Sequence, residues 1–352
     1  MTLQNHRTFV YVGLAGEGEH IGTGGLYRRA DGDGEWQSIT NGLPPNPQIR
    51  SLLVHPETPE VVYAGTNMGV YRSPDRGEHW ESLEKPRPGM DVWSLSFHPQ
   101  NPDVIYAGYE PCAIYRSQDA GESWHQMNTD GVVFPHLTTY MPPLAKRVIG
   151  IASDPSTPTD IYGAIEVGGL IASRDGGESW ESLIDGPYLR NNTLDLHGVQ
   201  VSAAAPGTVH IITQVAMFRS RDRGQRWEHV QVEEMFPGGS YCRGLLVAPD
   251  QPKTMYLAAG AGGGGSPQGT QEAGALFRSR DIGETWDRVD LGDTPPGRMF
   301  QIAIDRAAPS HIYCCANYGQ VYSSHDGGTT WSKSQVPVEM SRSCHIYPMV
   351  CG

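Results

Sequence analysis

Four arginines of this 352-residue chain fall beside ionisable residues at corresponding places of a repeated strand phrase. Aligned on the turn that follows, the phrases are Arg50-Ser51-Leu52, Trp93-Ser94-Leu95, Ile149-Gly150-Ile151, His197-Gly198-Val199, Arg243-Gly244-Leu245, Phe300-Gln301-Ile302 and His345-Ile346-Tyr347. Two residues earlier stand Asp91, Arg147, Asp195, Tyr241 and Arg298. The end of the next strand carries Tyr109-Glu110 in one copy and Glu166 in the following one. Arg50, Arg147, Arg243 and Arg298 suit bidentate grip of a carboxylate, sulfate or phosphate. Glu166 or Glu110, paired with His197 or His345, suits general acid–base chemistry. His197, His345 and Glu166 also offer the donor types for one divalent metal ion, each from a different repeat. Nothing calls for a nucleotide or an organic cofactor; the Gly-rich run from Gly260 lacks the strand–helix context of a phosphate loop. Trp93, Tyr241 and Phe300 would wall the site. Glu17, Glu19, His20 and His136 are further ionisable groups in long loops.

Something must bring these scattered residues together, and a second repeat says what. Ser-x-Asp-x-Gly-x-x-Trp occurs at 73–80, 117–124, 173–180, 220–227, 279–286 and 324–331, with a worn copy at Asp31 to Trp36. Each copy follows a short apolar run, reads as a hairpin turn, and ends on a Trp that opens the next strand. The recurrence, about every 45 residues, fits one four-stranded propeller blade. The chain therefore reads as all-β, a single domain over 1–352, built as a seven-bladed propeller of antiparallel blades. It begins on a second strand near Val10 and ends on a first strand near Ile346. One blade is then made from both ends, which closes the ring. Strand direction puts the Ser-Asp turns on one face and the long loops, with the aligned ring of residues, on the other.

Here the residues resemble a known signature, the Asp-box or BNR repeat of sialidases, sortilin-type receptors, some glucanases and a photosystem assembly factor. The resemblance covers nearly the whole chain. It implies that the box is a structural turn opposite the ligand face, so Asp75, Asp119, Asp175, Asp222, Asp281 and Asp326 are not expected to be catalytic. It also brings Tyr109 and Glu110 forward, because sialidases use a Tyr/Glu couple. The Arg-Ile-Pro phrase of those enzymes is absent, and sialidase activity is not expected.

Composition narrows the partners. A net charge of −13 argues against nucleic acid or an anionic membrane. No apolar run spans a bilayer and no secretory leader is visible, so a cytoplasmic protein with six reduced cysteines is expected. A closed ring offers no free sheet edge, and a monomer is expected. Arg28, Arg72, Arg116, Arg219 and Arg278 read as solvated repeat residues, and His79, His125, His229 and His325 as parts of the turns. The preferred function is a hydrolase or lyase acting on a small-to-medium anionic molecule or sugar acid at the loop-side mouth, with a divalent metal as an optional Lewis acid. The alternative is a non-catalytic propeller that grips an acidic peptide or protein partner.

Overall fold

The computed structural model describes residues 7–16, 22–32, 34–134, 146–183, 194–231, 240–261, 274–340 and 344–352. Glu17, Glu19, His20 and His136 lie outside the described residues. The described chain forms seven four-stranded antiparallel sheets. Six are continuous in sequence; the second, for example, runs Ile49–Val54, Val62–Thr66, Gly69–Ser73, Glu81–Ser82. In the other, His345–Cys351 pairs antiparallel with Phe9–Ala15 and so completes the sheet that Gly25–Ala30 and Gln37–Ser38 continue. That sheet is blade one, and the rest are numbered onward in chain order. Each innermost strand packs against the innermost strands of both neighbouring blades, which makes the seven-bladed propeller. The six cysteines are free, and no described helix is long and apolar enough to cross a membrane.

The apolar core lies between blades. Tyr162 and Leu170 of blade four share one cluster with Val199, Ile211 and Trp227 of blade five. The Ser-Asp turns hold the floor beneath this core. In blade three Ser117 Oγ donates to Asp119 Oδ1 (2.8 Å) and accepts from Gly121 N (2.8 Å), while Asp119 Oδ1 accepts from Ser123 N (2.9 Å). The same bonds recur at Ser73, Ser173, Ser220, Ser279 and Ser324. The left-handed backbone is wider than the recurring Gly of the turn: Arg76, Ala120, Arg223 and Ile282, one residue earlier, have φ of 59°, 56°, 62° and 62°.

The repeated strand arginines are not solvated as the sequence implied. Arg28 donates to Arg76 O (2.7 Å) and pairs with Glu78; Arg116 donates to Gly176 O (2.9 Å) and pairs with Glu178; Arg278 donates to Gly327 O (3.1 Å). Each reaches the turn of the next blade, and Arg28 and Arg219 are buried. They pin neighbouring blades together at the floor.

These turns carry a pH dependence. Hydrogen bonds from Ser123 and Ser117 hold the Asp119 carboxyl at about 2, against an ordinary 3.8, and bonds from Ser179 and Ser173 hold Asp175 at about 2. A carboxyl lowered by folding stabilises the protein fully above its unfolded value and loses that contribution as pH falls through the folded one. The thermal unfolding midpoint should therefore fall steeply between about pH 4 and pH 2, and less steeply in Asp119→Asn/Asp175→Asn. A wild-type midpoint that is flat across that window would refute the assignment.

The innermost strands share a detail that is hidden in the sequence. Every one is bulged near its loop-side end: the ladder skips Arg50, Trp93, Ile149, His197, Arg243 and Phe300 in blades two to seven. A bulge places two residues opposite one and re-aims a side chain. In blade one, Ile346 pairs with Leu14 and Met349 with Val12, so Tyr347 and Pro348 face Gly13. Tyr347, not His345, is thus the seventh member of the ring. His345 sits two residues away, in register with Asp91, Arg147, Asp195, Tyr241 and Arg298. Pro348 is accommodated because a bulge leaves a backbone N–H outside the ladder. A Cβ on Gly13 would lie 2.7 Å from the Pro348 ring and 2.5 Å from Ile49, which explains the glycine.

Candidate functional site

The seven re-aimed side chains surround the central channel, where a cavity of about 290 Å³ is lined by Arg50, Trp93, Ile149, His197, Arg243 and Tyr347 among others. Carbonyls at the bulges tie the blades to one another. Ser51 Oγ donates to Val92 O (3.3 Å), Ser94 Oγ to Val148 O (2.6 Å), and His197 Nδ1 approaches Cys242 O at 2.6 Å. A carbonyl can only accept, so His197 carries its proton on Nδ1 and presents Nε2 as a lone pair. Burial, and then the Arg243 guanidinium, push its imidazolium well below the ordinary range, so the ring is neutral at neutral pH.

One side of the mouth is dense with charge. Arg147 Nε donates to Glu110 Oε2 (2.8 Å) and its NH1 to Glu166 Oε2 (2.8 Å). The two carboxylates come from blades three and four, and Glu166 is buried. Trp93 Nε1 donates to the same Glu110 oxygen (2.8 Å). The Trp93 ring has Arg50 at 4.2 Å and Arg147 at 4.3 Å, with Tyr347 at its edge, 5.6 Å between ring centres. Arg50 also donates to Asp91 Oδ2 (3.1 Å) and Gly16 O (2.6 Å). Next to this group, donor atoms of Glu166, Asp195 and His197 lie within 4.8 Å of one another, all three residues buried. Asp195 Oδ2 is 3.8 Å from His197 Nε2. Lys146, also buried, donates to Val167 O and lies near Asp195; burial lowers its ammonium group and the Asp195 charge opposes the shift. Val167 holds φ of 52°, a costly conformation for a β-branched residue, in the turn that presents Glu166.

Arg243 lies 5.3 Å from the Phe300 ring and 5.5 Å from Tyr347, and Arg298 lies 4.2 Å from Tyr241, which itself packs on His197. Ten of the twelve residues singled out in the sequence thus gather at one mouth with His345 at its outer row; Tyr109 does not. Strand alternation points Tyr109 away from its neighbour Glu110, into the blade core against Tyr115, where it is 1 % exposed. Burial raises its phenol, and it cannot serve as a nucleophile at the mouth. Trp93 and Phe300 are also buried, so they hold guanidinium groups in place instead of offering open faces. Within the metal-type group, Asp195 stands where His345 was expected. Asp195 was placed in the outer row but given no role, and Lys146 and Tyr347 were missed: Lys146 flanks Arg147, and Tyr347 needed the register of the closing strand. A larger cavity, about 1150 Å³, opens on the floor beside Phe9 and Arg7, but Arg28–Glu78 and Arg76–Glu60 pairs occupy its walls.

Comparison with known proteins agrees with this architecture. Residues 24–140 match the family model described as sortilin, neurotensin receptor 3. Over 221 residues, 52% of this chain and 25% of the relative, the chain is 23% identical to the xyloglucanase Xgh74A of Acetivibrio thermocellus. Over 329 residues, 78% of this chain and 38% of the relative, it is 25% identical to a probable oligoxyloglucan-reducing end-specific xyloglucanase of Neosartorya fischeri. The chain therefore spans well under half the length of these curated relatives. Among solved structures it is similar in fold to the GH74 enzyme of Niastella koreensis (TM-score 0.60, 19% identity, 84% of this chain and 46% of that one). It is likewise similar to YCF48 from Cyanidioschyzon merolae (TM-score 0.55, 17% identity, 85% and 88%).

Proposed function

We propose that the loop-side mouth is a glycoside-hydrolysing site, with Glu110 and Glu166 as its working carboxylates. The observation that carries this reading is the single guanidinium of Arg147 bonded to both. Bonds of 2.8 Å from Nε and NH1 of one guanidinium keep the bonded oxygens no more than about 8 Å apart, a bound that overlaps the separations over which paired carboxylates cleave glycosidic bonds. Glu110 receives Trp93 and Arg147 on Oε2, so Oε1 is its oxygen for proton transfer. Glu166, more deeply set, acts from the other side as base or nucleophile. His197, neutral and bound through Nδ1 to Cys242 O, is held in place at the channel wall and leaves proton transfer to the glutamates. The similarity to xyloglucanases supports a saccharide as the substrate class.

An acid group on the sugar would fall to Arg243 and Arg298, which stand over the Phe300 and Tyr241 rings. A divalent ion at Glu166, Asp195 and His197 would compete with Lys146 and Arg147 for the same carboxylates, and the reaction as drawn needs none.

The test is incubation with xyloglucan, other β-glucans and uronic-acid oligosaccharides, followed by assay of new reducing ends. Turnover of at least one is expected. No turnover, and no rise of the unfolding midpoint with any saccharide, would overturn the reading. The arginines also favour a second reading, binding of an acidic peptide, which agrees with the likeness in fold to a structure described as YCF48 bound to D1 peptide (TM-score 0.55, 16% identity). A midpoint raised by acidic peptides and by no saccharide would select it.

A further inference from the structure

On the opposite face, the seam between blade seven and the closing blade brings together three residues that the mouth does not use. Asp31 lies in the turn that follows Gly25–Ala30, the third strand of the closing blade. His311 lies in a turn of blade seven and His325 in its Ser-Asp turn. His325 Nε2 is 2.7 Å from Asp31 Oδ1, and His311 Nδ1 is 3.0 Å from Asp31 Oδ2. The two imidazoles meet edge to face, 4.7 Å between centres, and one donor atom from each of the three residues lies within 4.8 Å of the others.

His311 Nδ1 makes this more than a hydrogen-bonded trio. It is buried and makes no aligned hydrogen bond, even with the carboxylate oxygen 3.0 Å away. A buried ring nitrogen that stands beside a carboxylate without bonding to it is open to a metal ion held at the same seam. The cation nearest in sequence, Arg29, donates to Ser323 Oγ (2.9 Å), stands over the Trp36 ring and also interacts electrostatically with Asp31. His325 is 44% exposed, which leaves an open side for water as a further ligand.

We propose that Asp31, His311 and His325 bind one divalent first-row transition ion, of the zinc class, that staples the ring-closing blade to blade seven. Two imidazoles and one carboxylate are a donor set for such ions, with ligand bonds of about 2.0–2.2 Å. Ligand atoms around a tetrahedral ion lie about 3.3–3.5 Å apart, so atoms now within 4.8 Å of one another would close by up to about 1.4 Å. The staple joins residues 294 positions apart, where a cross-link removes much of the freedom of the open chain. It is structural in role and independent of the reaction at the mouth.

The experiment uses the full chain, stripped by chelator and titrated with Co²⁺ and with Zn²⁺. Expected are one equivalent bound, visible Co²⁺ absorption of a low-symmetry site, and a Zn²⁺-dependent rise of the unfolding midpoint. His325→Ala, at an exposed position that the fold tolerates, and His311→Ala should each weaken binding at least tenfold. His197→Ala, which removes a donor from the mouth, should not. No saturable binding by the wild type would overturn the proposal. So would binding unchanged in both seam variants, or binding lost in His197→Ala alone.

Discussion

Glu166→Gln should lower glycoside hydrolysis by about two to four orders of magnitude, the usual contribution of a positioned acid or base. The substitution keeps shape and hydrogen-bonding capacity, so Arg147 stays bonded to Glu110 and the protein should fold. Arg147→Ala should be as damaging to activity and far worse for stability. It removes the guanidinium bonded to a carboxylate that is 3 % exposed, a loss on the order of 3 kcal/mol. The double variant Arg147→Ala/Glu166→Gln separates the two effects. With the buried charge gone, most of the stability should return, because the penalty belongs to the uncompensated carboxylate. Activity should not return. Full activity in Glu166→Gln would remove Glu166 from the reaction. Recovery of activity in the double variant would remove both Glu166 and Arg147 from the reaction.

Trp180→Ala should cost about 3–5 kcal/mol, the largest stability effect expected of a single substitution here. Trp180 is 3 % exposed, packs with Tyr106, Ile114 and Ile161 between blades three and four, and donates from Nε1 to Gly177 O (3.1 Å). Deletion of the indole opens a cavity that rigid strands on both sides cannot collapse into, and it orphans a turn carbonyl. Trp331, only partly buried at the equivalent place in blade seven, should cost less when replaced. Chemical denaturation of the two variants measures the difference. The specific activity of the folded fraction of Trp180→Ala should match wild type, because the floor and the mouth are at opposite ends of the blades. Equal losses in the two variants would show that burial does not grade the seven copies.

The repeat was legible in the chain because its physics is local. A Ser-x-Asp-x-Gly turn is satisfied by its own hydrogen bonds, and each Trp lies beside the turn it covers. Seven such units and a terminal strand without partners therefore implied seven blades and the ring closure before any contact was known. Most of the mouth was legible as well, since equivalent residues of equivalent strands must end at one end of one channel. What the sequence could not determine was set by contacts between blades. The bulge that aims Tyr347 inward exists only in the pairing of the two chain ends, and without it His345 took the wrong row. Arg147 between Glu110 and Glu166, Asp195 beside His197, and Asp31 between His311 and His325 are all tertiary meetings. The energy that decides them, desolvation offset by a specific partner, depends on distances that no local pattern encodes.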